Sequence, residues 1–189
     1  MAVYIFDDFI GTTLESFNPI NDTLFFNNSY TAVNLVLSQT NEGISISYSN
    51  QSILLSGINI SSLKGTELTF EDGSLFLLGT ALGDVLTGSA FSDQIDISAG
   101  GSDNVAGGDG NDFIIVGSGL NSGDVIDGGA GTADELRLSG NYVTRVDLTS
   151  TTVTGVENII FGPGGGVWLR LHDNLFATAN GSVTFNATS

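Results

Sequence analysis

The sequence predicts an all-β protein whose middle third is a parallel solenoid, and three observations predict it. Apolar residues alternate with polar ones at period two in short runs, and no window longer than a few residues carries a helical apolar stripe. Between Gly79 and Glu135 stand 14 of the 26 glycines and 10 of the 21 acidic residues. Within that stretch the chain falls into rows of about nine residues, each closing on Asp, any residue, then an aliphatic residue.

The first segment, residues 1–78, reads as strands. Its alternating runs are Val33, Leu35, Leu37; Ile44, Ile46, Tyr48; Ile53, Leu55; Ile58, Ile60; and Leu68, Phe70. The breaks between them, Asn41 to Gly43, Ser49 to Gln51 and Glu71 to Ser74, carry turn residues. The segment is expected to continue or cap the solenoid.

The second segment, residues 79–138, can be written in rows. Gly79 to Thr87 is GTALGDVLT, Gly88 to Asp96 is GSAFSDQID, Ser98 to Ala106 is SAGGSDNVA, and Gly107 to Ile115 is GGDGNDFII. A longer turn then leads to GDVID at Gly123 to Asp127, and Gly128 to Arg137 is GGAGTADELR. The Asp–aliphatic pairs are Asp84/Leu86, Asp93/Ile95, Asp103/Val105, Asp112/Ile114, Asp124/Ile126 and Asp134/Leu136.

These rows resemble the nonapeptide repeats of the repeats-in-toxin (RTX) family of secreted bacterial proteins, whose consensus is G-G-x-G-x-D-x-U-x. Gly107 to Ile115 matches at every consensus position, whereas Thr80, Ser89, Ser98 and Ala99 replace glycines and the last two rows have altered spacing. The resemblance implies a right-handed parallel β-roll with up to four Ca2+ ions between stacked glycine turns. The chemistry agrees with it: glycines permit tight turns with carbonyls aimed to one side, and calcium takes six to eight oxygens from carbonyls and carboxylates.

Two turns and two short strands make one coil of about 18 residues, so turns one coil apart stack. Asp84 is expected over Asp103, Asp93 over Asp112, Asp103 over Asp124, and Asp112 over Asp134. Two aliphatic ladders follow: Leu86, Val105, Ile126, and Ile95, Ile114, Leu136. By the resemblance all six aspartates are metal ligands. Carbonyls from Gly100, Gly107, Gly108, Asp109, Gly110, Gly128 and Ala130 join them. The best pair is Asp93 with Asp112, because its second turn is the perfect repeat. In Asp134 an inserted residue threatens the register. Without metal the stacked carboxylates repel and little apolar burial opposes them, so binding energy becomes folding energy.

The third segment, residues 139–189, returns to strand-like runs: VENIIF at Val156 to Phe161 and VWLRL at Val167 to Leu171, separated by GPGGG at Gly162 to Gly166. Asn18 to Phe26 and Glu71 to Gly79 look like the β-rich region that often precedes such repeats, and Val153 to Phe161 like the coils that follow them. Proline is nearly absent, which favours one continuous domain.

Composition narrows the partners. The formal net charge is −17, with Lys64, Arg137, Arg145 and Arg170 as the whole basic complement. Nucleic acid and anionic membranes need clustered Lys and Arg, so neither is an expected partner. No cysteine is present, which excludes disulfides and thiolate metal sites. Met1 to Phe9 has acids where a signal peptide carries its basic region, and no run reaches a membrane span, so membrane insertion is not expected.

Other chemistry finds little support. His172 is the sole histidine, and no GxSxG or HExxH motif occurs. His172 and Asp173 beside Trp168 read as a polar turn, and Asp7 and Asp8 as a solvated strand end. Tyr142, Trp168 and Phe176 do not make the aromatic row of a carbohydrate-binding module. The expected function is therefore not enzymatic. It is that of a secreted, calcium-binding structural protein at the bacterial cell surface, in a surface layer, adhesin or fibre assembled from copies of itself. By the resemblance, type I secretion is the export route. The alternative is the calcium-binding module of a larger RTX exoenzyme or toxin.

Overall fold

The structure, a computed structural model, describes residues 1–27, 29–141, 145–148, 152–162, 169–171 and 184–187. The chain is all-β, and its coils stack in parallel as a β-solenoid of about seven turns, a β-roll.

The N-terminal strands are β1 (Val3–Ile5), β2 (Thr13–Leu14), β3 (Thr23–Phe26), β4 (Leu35–Gln39), β5 (Gly43–Tyr48), β6 (Gln51–Ser56) and β7 (Leu68–Phe70). β1, β3 and β7 form a parallel sheet, whereas β4, β5 and β6 run antiparallel with β2 added alongside β6. Most period-two runs became strands. Ile58 and Ile60 did not: Ile60–Ser62 is a single 3-10 turn, and the Asn59 side-chain oxygen Oδ1 accepts the Ser61 amide at 3.0 Å. A short polar side chain bonding its own backbone offers an alternative to a sheet ladder, and here it outcompetes the apolar pattern.

This part is filled by aromatic rings. Phe26 stacks on Phe70 with centroids 4.7 Å apart and on Phe6 at 4.8 Å, and Tyr30 stands edge-on to Phe6 and Phe26. Leu24, Leu35, Ile44, Ile46, Ile53 and Leu55 complete the core.

The solenoid begins at β8 (Phe76–Leu78) and continues through β9 (Val85–Thr87), β10 (Gln94–Asp96), β11 (Asn104–Asp109), β12 (Phe113–Val116), β13 (Val125–Ala130) and β14 (Glu135–Leu138). Beyond it lie β15 (Val146–Leu148), β16 (Val153–Thr154), β17 (Asn158–Phe161), β18 (Leu169–Leu171) and β19 (Thr184–Ala187). One sheet has the order β19-β17-β14-β12-β10-β8, the other β16-β13-β11-β9, and all pairings within them are parallel.

Both expected aliphatic ladders are present in register. Leu86 pairs with Val105 and Val105 with Ile126; Ile95 pairs with Ile114 and Ile114 with Leu136. The second ladder is longer than the rows suggest, because Leu77 lies beside Ile95 and Ile159 beside Leu136. β8 joins the two parts of the molecule by simple alternation. Phe76 and Leu78 pack into the aromatic core while Leu77 packs into the solenoid. No helix among the described residues is long and apolar enough to cross a membrane.

Candidate functional site

The six aspartates that close the rows each stand immediately before a strand, and in five of them the carboxylate is folded inward. Asp93, Asp103, Asp112, Asp124 and Asp134 are all at most 2% exposed. In a chain with this net charge that burial demands an explanation, because an ionised carboxylate left unpaired away from water is strongly unfavourable. Asp84, in the first turn, is half-buried.

Part of the explanation is a ladder of charge-assisted hydrogen bonds running from coil to coil. The Asp84 amide donates to Asp103 Oδ1 at 2.9 Å, and the Asp103 amide to Asp124 Oδ1 at 2.9 Å. On the other column the Leu75 amide donates to Asp93 Oδ1 at 2.6 Å, Asp93 to Asp112 Oδ1 at 2.8 Å, and Asp112 to Asp134 Oδ1 at 2.7 Å. All four expected Asp pairs are therefore brought together. The separations grow from 18 and 19 residues to 21 and 22, and the extra residues are absorbed in the turns without displacing Asp134.

The column ends on a residue that the row pattern does not single out. The Asp134 amide donates to Glu157 Oε2 at 2.9 Å, across 23 residues. Glu157 stands two residues before Ile159 just as each Asp stands before its aliphatic partner, so an acid-x-aliphatic search would have found it. The change from Asp to Glu, and the absence of a glycine pair before it, hid the match.

One oxygen of each of the five buried carboxylates is thus used; the bonds to the other, and to Asp84, distinguish the turns. Asp84 Oδ2 accepts the Thr80 amide at 2.7 Å and the Thr80 hydroxyl at 2.9 Å. Asp93 Oδ2 accepts the Ser89 amide, and its Oδ1 takes the Ser89 hydroxyl at 2.9 Å. Asp124 Oδ2 accepts the Asn121 amide at 2.8 Å. Asp112 Oδ2 and Asp134 Oδ2 are buried and have no partner.

Burial raises the pKa of Asp93 and of Asp103. For Asp112, burial and then the charges of Asp93 and Asp134 outweigh the hydrogen bond from Asp93 and push the carboxyl up to about 7. For Asp134, burial and then the Glu157 carboxyl outweigh the Asp112 amide and push it up to about 6.

The glycines stack main-chain carbonyls around these oxygens. A side chain on Gly107 would collide with both the Gly128 carbonyl and Asp112 Oδ2, so those two oxygens converge on one point. Gly108 and Gly129 lie at φ +114° and +103°, with the Ser89 carbonyl against the first and the Gly108 carbonyl against the second. There only glycine avoids both strain and collision. The Gly110 carbonyl faces Gly131, whose own added side chain would stand 2.6 Å from Asp134 Oδ2.

The remaining expected ligands are placed less simply. The Ala130 carbonyl accepts the Gly110 amide at 3.2 Å, and Asp109 pairs with Ala130 in the strand ladder while its side chain is exposed. Gly100 lies at φ +87° in the turn before Asp103. Asp7 is exposed just after β1, as a solvated strand end should be, and it accepts hydrogen bonds from the Asn27 side chain and the Tyr30 hydroxyl. Trp168, His172, Asp173, Tyr142 and Phe176 lie outside the described residues.

Among the described residues no three acidic or histidine side chains gather as a metal cluster. A cation at Asp112 and Asp134 would therefore draw most of its ligands from main-chain carbonyls. Unpartnered carboxylate oxygens beside stacked carbonyls are the hard, oxygen-only donor set that calcium takes, so the residues fit that ion. They offer nothing to a metal that prefers nitrogen or sulfur.

Fold and turns together define a class: a parallel β-solenoid with inward carboxylates at its coil corners. No family model, curated protein or solved structure matches the chain, so the functional reading stands on these residues alone.

Proposed function

We propose that this chain is a secreted, non-enzymatic structural protein whose solenoid completes its folding on extracellular calcium, and that it works in a surface layer, adhesin or fibre. The observation that carries the reading is the pair of buried, unpartnered oxygens on Asp112 and Asp134. With calcium bound, the ion supplies the positive charge that the chain itself lacks there. Asp112, Asp134 and Glu157 would contribute carboxylate oxygens, and the turns at Gly107 to Gly110 and at Gly128 main-chain carbonyls. The cytoplasm is poor in free calcium, so the same dependence would keep the coils open until export.

A sheet edge supports the self-assembly reading. β19 is the edge strand of its sheet among the described residues, and a parallel edge accepts a strand from a second copy. Head-to-tail contacts of that kind do not close, and they build filaments.

Calorimetric titration of the purified chain with calcium tests the reading. Binding is expected, with magnesium unable to replace calcium at equal concentration. Asp112→Ala is expected to weaken it more than Asp134→Ala, because Glu157 remains beside the second position. Equal losses would show that the two positions do not differ in this way. Electron microscopy of the calcium-loaded protein separates the roles: fibres or sheets support the structural one, and stable monomers support a module of a larger secreted protein.

A further inference from the structure

Four of the six turns fall into two structural kinds, and the difference lies in the residue after the first glycine. In the turns at Gly79 and Gly88 that residue is Thr80 or Ser89, and its amide and hydroxyl both fold back onto the aspartate four positions later. In the turns at Gly107 and Gly128 it is Gly108 or Gly129. Those glycines do not bond the aspartate; they pair with each other across coils, so β11 and β13 run on into the turn to Asp109 and Ala130. β9 stops at Thr87. A hydroxyl-bearing residue closes the carboxylate from within the turn, whereas a glycine leaves Asp112 Oδ2 and Asp134 Oδ2 buried and unpartnered.

We infer that Thr80 and Ser89 take the place of a cation in the first two turns, so that among these four turns calcium binds only at those of Gly107 and Gly128, where a second glycine follows the first. The inference rests on the calcium reading above and restricts it. The coil nearest the N-terminal core then closes without metal. It offers the first metal-requiring coil a finished edge, because Asp93, already held by Ser89, donates its amide to Asp112. Calcium would fold the solenoid outward from that end. In these four rows the sequence determinant is a single position, Thr or Ser against Gly.

The experiment uses the whole chain and calcium alone. Ser89→Gly removes the hydroxyl partner of Asp93 and frees the backbone at that position, and calorimetric titration is expected to show one more calcium ion per chain than the wild type. Thr80→Gly, at an exposed position, is expected to do the same at Asp84, and it serves as the second variant should Ser89→Gly fail to fold. An unchanged ion count in a variant that folds would overturn the inference. So would ions at Asp84 and Asp93 in a crystal structure of the calcium-loaded wild type. These outcomes differ from failure of the calcium reading itself, in which the wild type would bind none.

Discussion

Around Phe26 the interior is filled by rings; around Ile114 it is filled by aliphatic ladders and carboxylates. The N-terminal core stacks Phe6, Phe26 and Phe70 and buries no aspartate among the described residues. The solenoid core holds Ile95, Val105, Ile114, Ile126, Leu136 and Ile159, contains no fully buried ring among the described residues, and encloses five aspartates. The first is stabilised by transfer of large apolar surface out of water, which needs nothing from the medium. The second gains about 1.5–3 kcal/mol per buried aliphatic side chain, and against that stand inward charges that the chain does not neutralise. Two parts of one chain thus meet the same requirement, a closed interior, by different means, and under the proposed function they are expected to depend differently on what is dissolved around them.

The largest effect expected from this contrast is that of calcium itself. At a calcium concentration a hundred times Kd, each occupied site adds about 2.7 kcal/mol of stability. In melts followed by far-UV circular dichroism, which reports strands, calcium is expected to raise the solenoid transition by many degrees. The near-UV signal of the stacked rings should move little. Equal movement of both would erase the distinction.

Substitution sharpens it. Phe26→Ala is expected to cost about 3–5 kcal/mol in urea melts, with or without calcium. Asp112→Ala is expected to destabilise only in calcium. In a chelator at pH 7 it should be neutral or stabilising, because removing a buried charge offsets the lost hydrogen bond from the Asp93 amide. A loss for Asp112→Ala that is the same in both media would contradict the account.

The dependence on pH has a definite sign. Asp112 and Asp134 have folded-state pKa values raised to about 7 and about 6 from 3.8. Between 3.8 and those values the folded chain holds more protons than the unfolded one, so the contribution of these groups to stability falls as pH rises through that window. In a chelator the solenoid's melting temperature is therefore expected to drop between pH 4 and pH 7. With calcium the drop should flatten or reverse, because the ion needs the ionised form. A chelated protein most stable at pH 7 would count against a metal-free buried pair.

Much of this was legible before any coordinates. The spacing of Asp84, Asp93, Asp103 and Asp112 sets the coil length, and period two sets which side of each strand is buried. The parallel ladders follow from those two facts. The 3-10 turn at Ile60 was hidden because Asn59 decides it locally while the apolar alternation suggests a strand. Glu157 was hidden because its turn has lost the paired glycines. The division of the turns was also out of reach. Thr80 and Ser89 read as departures from a consensus, and only the coordinates show their hydroxyls on the neighbouring carboxylates. A repeat pattern records spacing, but whether each carboxylate is satisfied depends on the side chain beside it.

Residue-resolved amide hydrogen exchange at neutral pH, in a chelator and in millimolar calcium, tests the central claim most directly. The claim is that the carboxylates of Asp112 and Asp134 require a divalent cation. The Asp112 and Asp134 amides and the β11 to β14 strands are expected to lose protection in the chelator and regain it in calcium, while Leu24 and Leu55 in the aromatic core stay protected in both. Equal protection of the solenoid amides in the two media would contradict it.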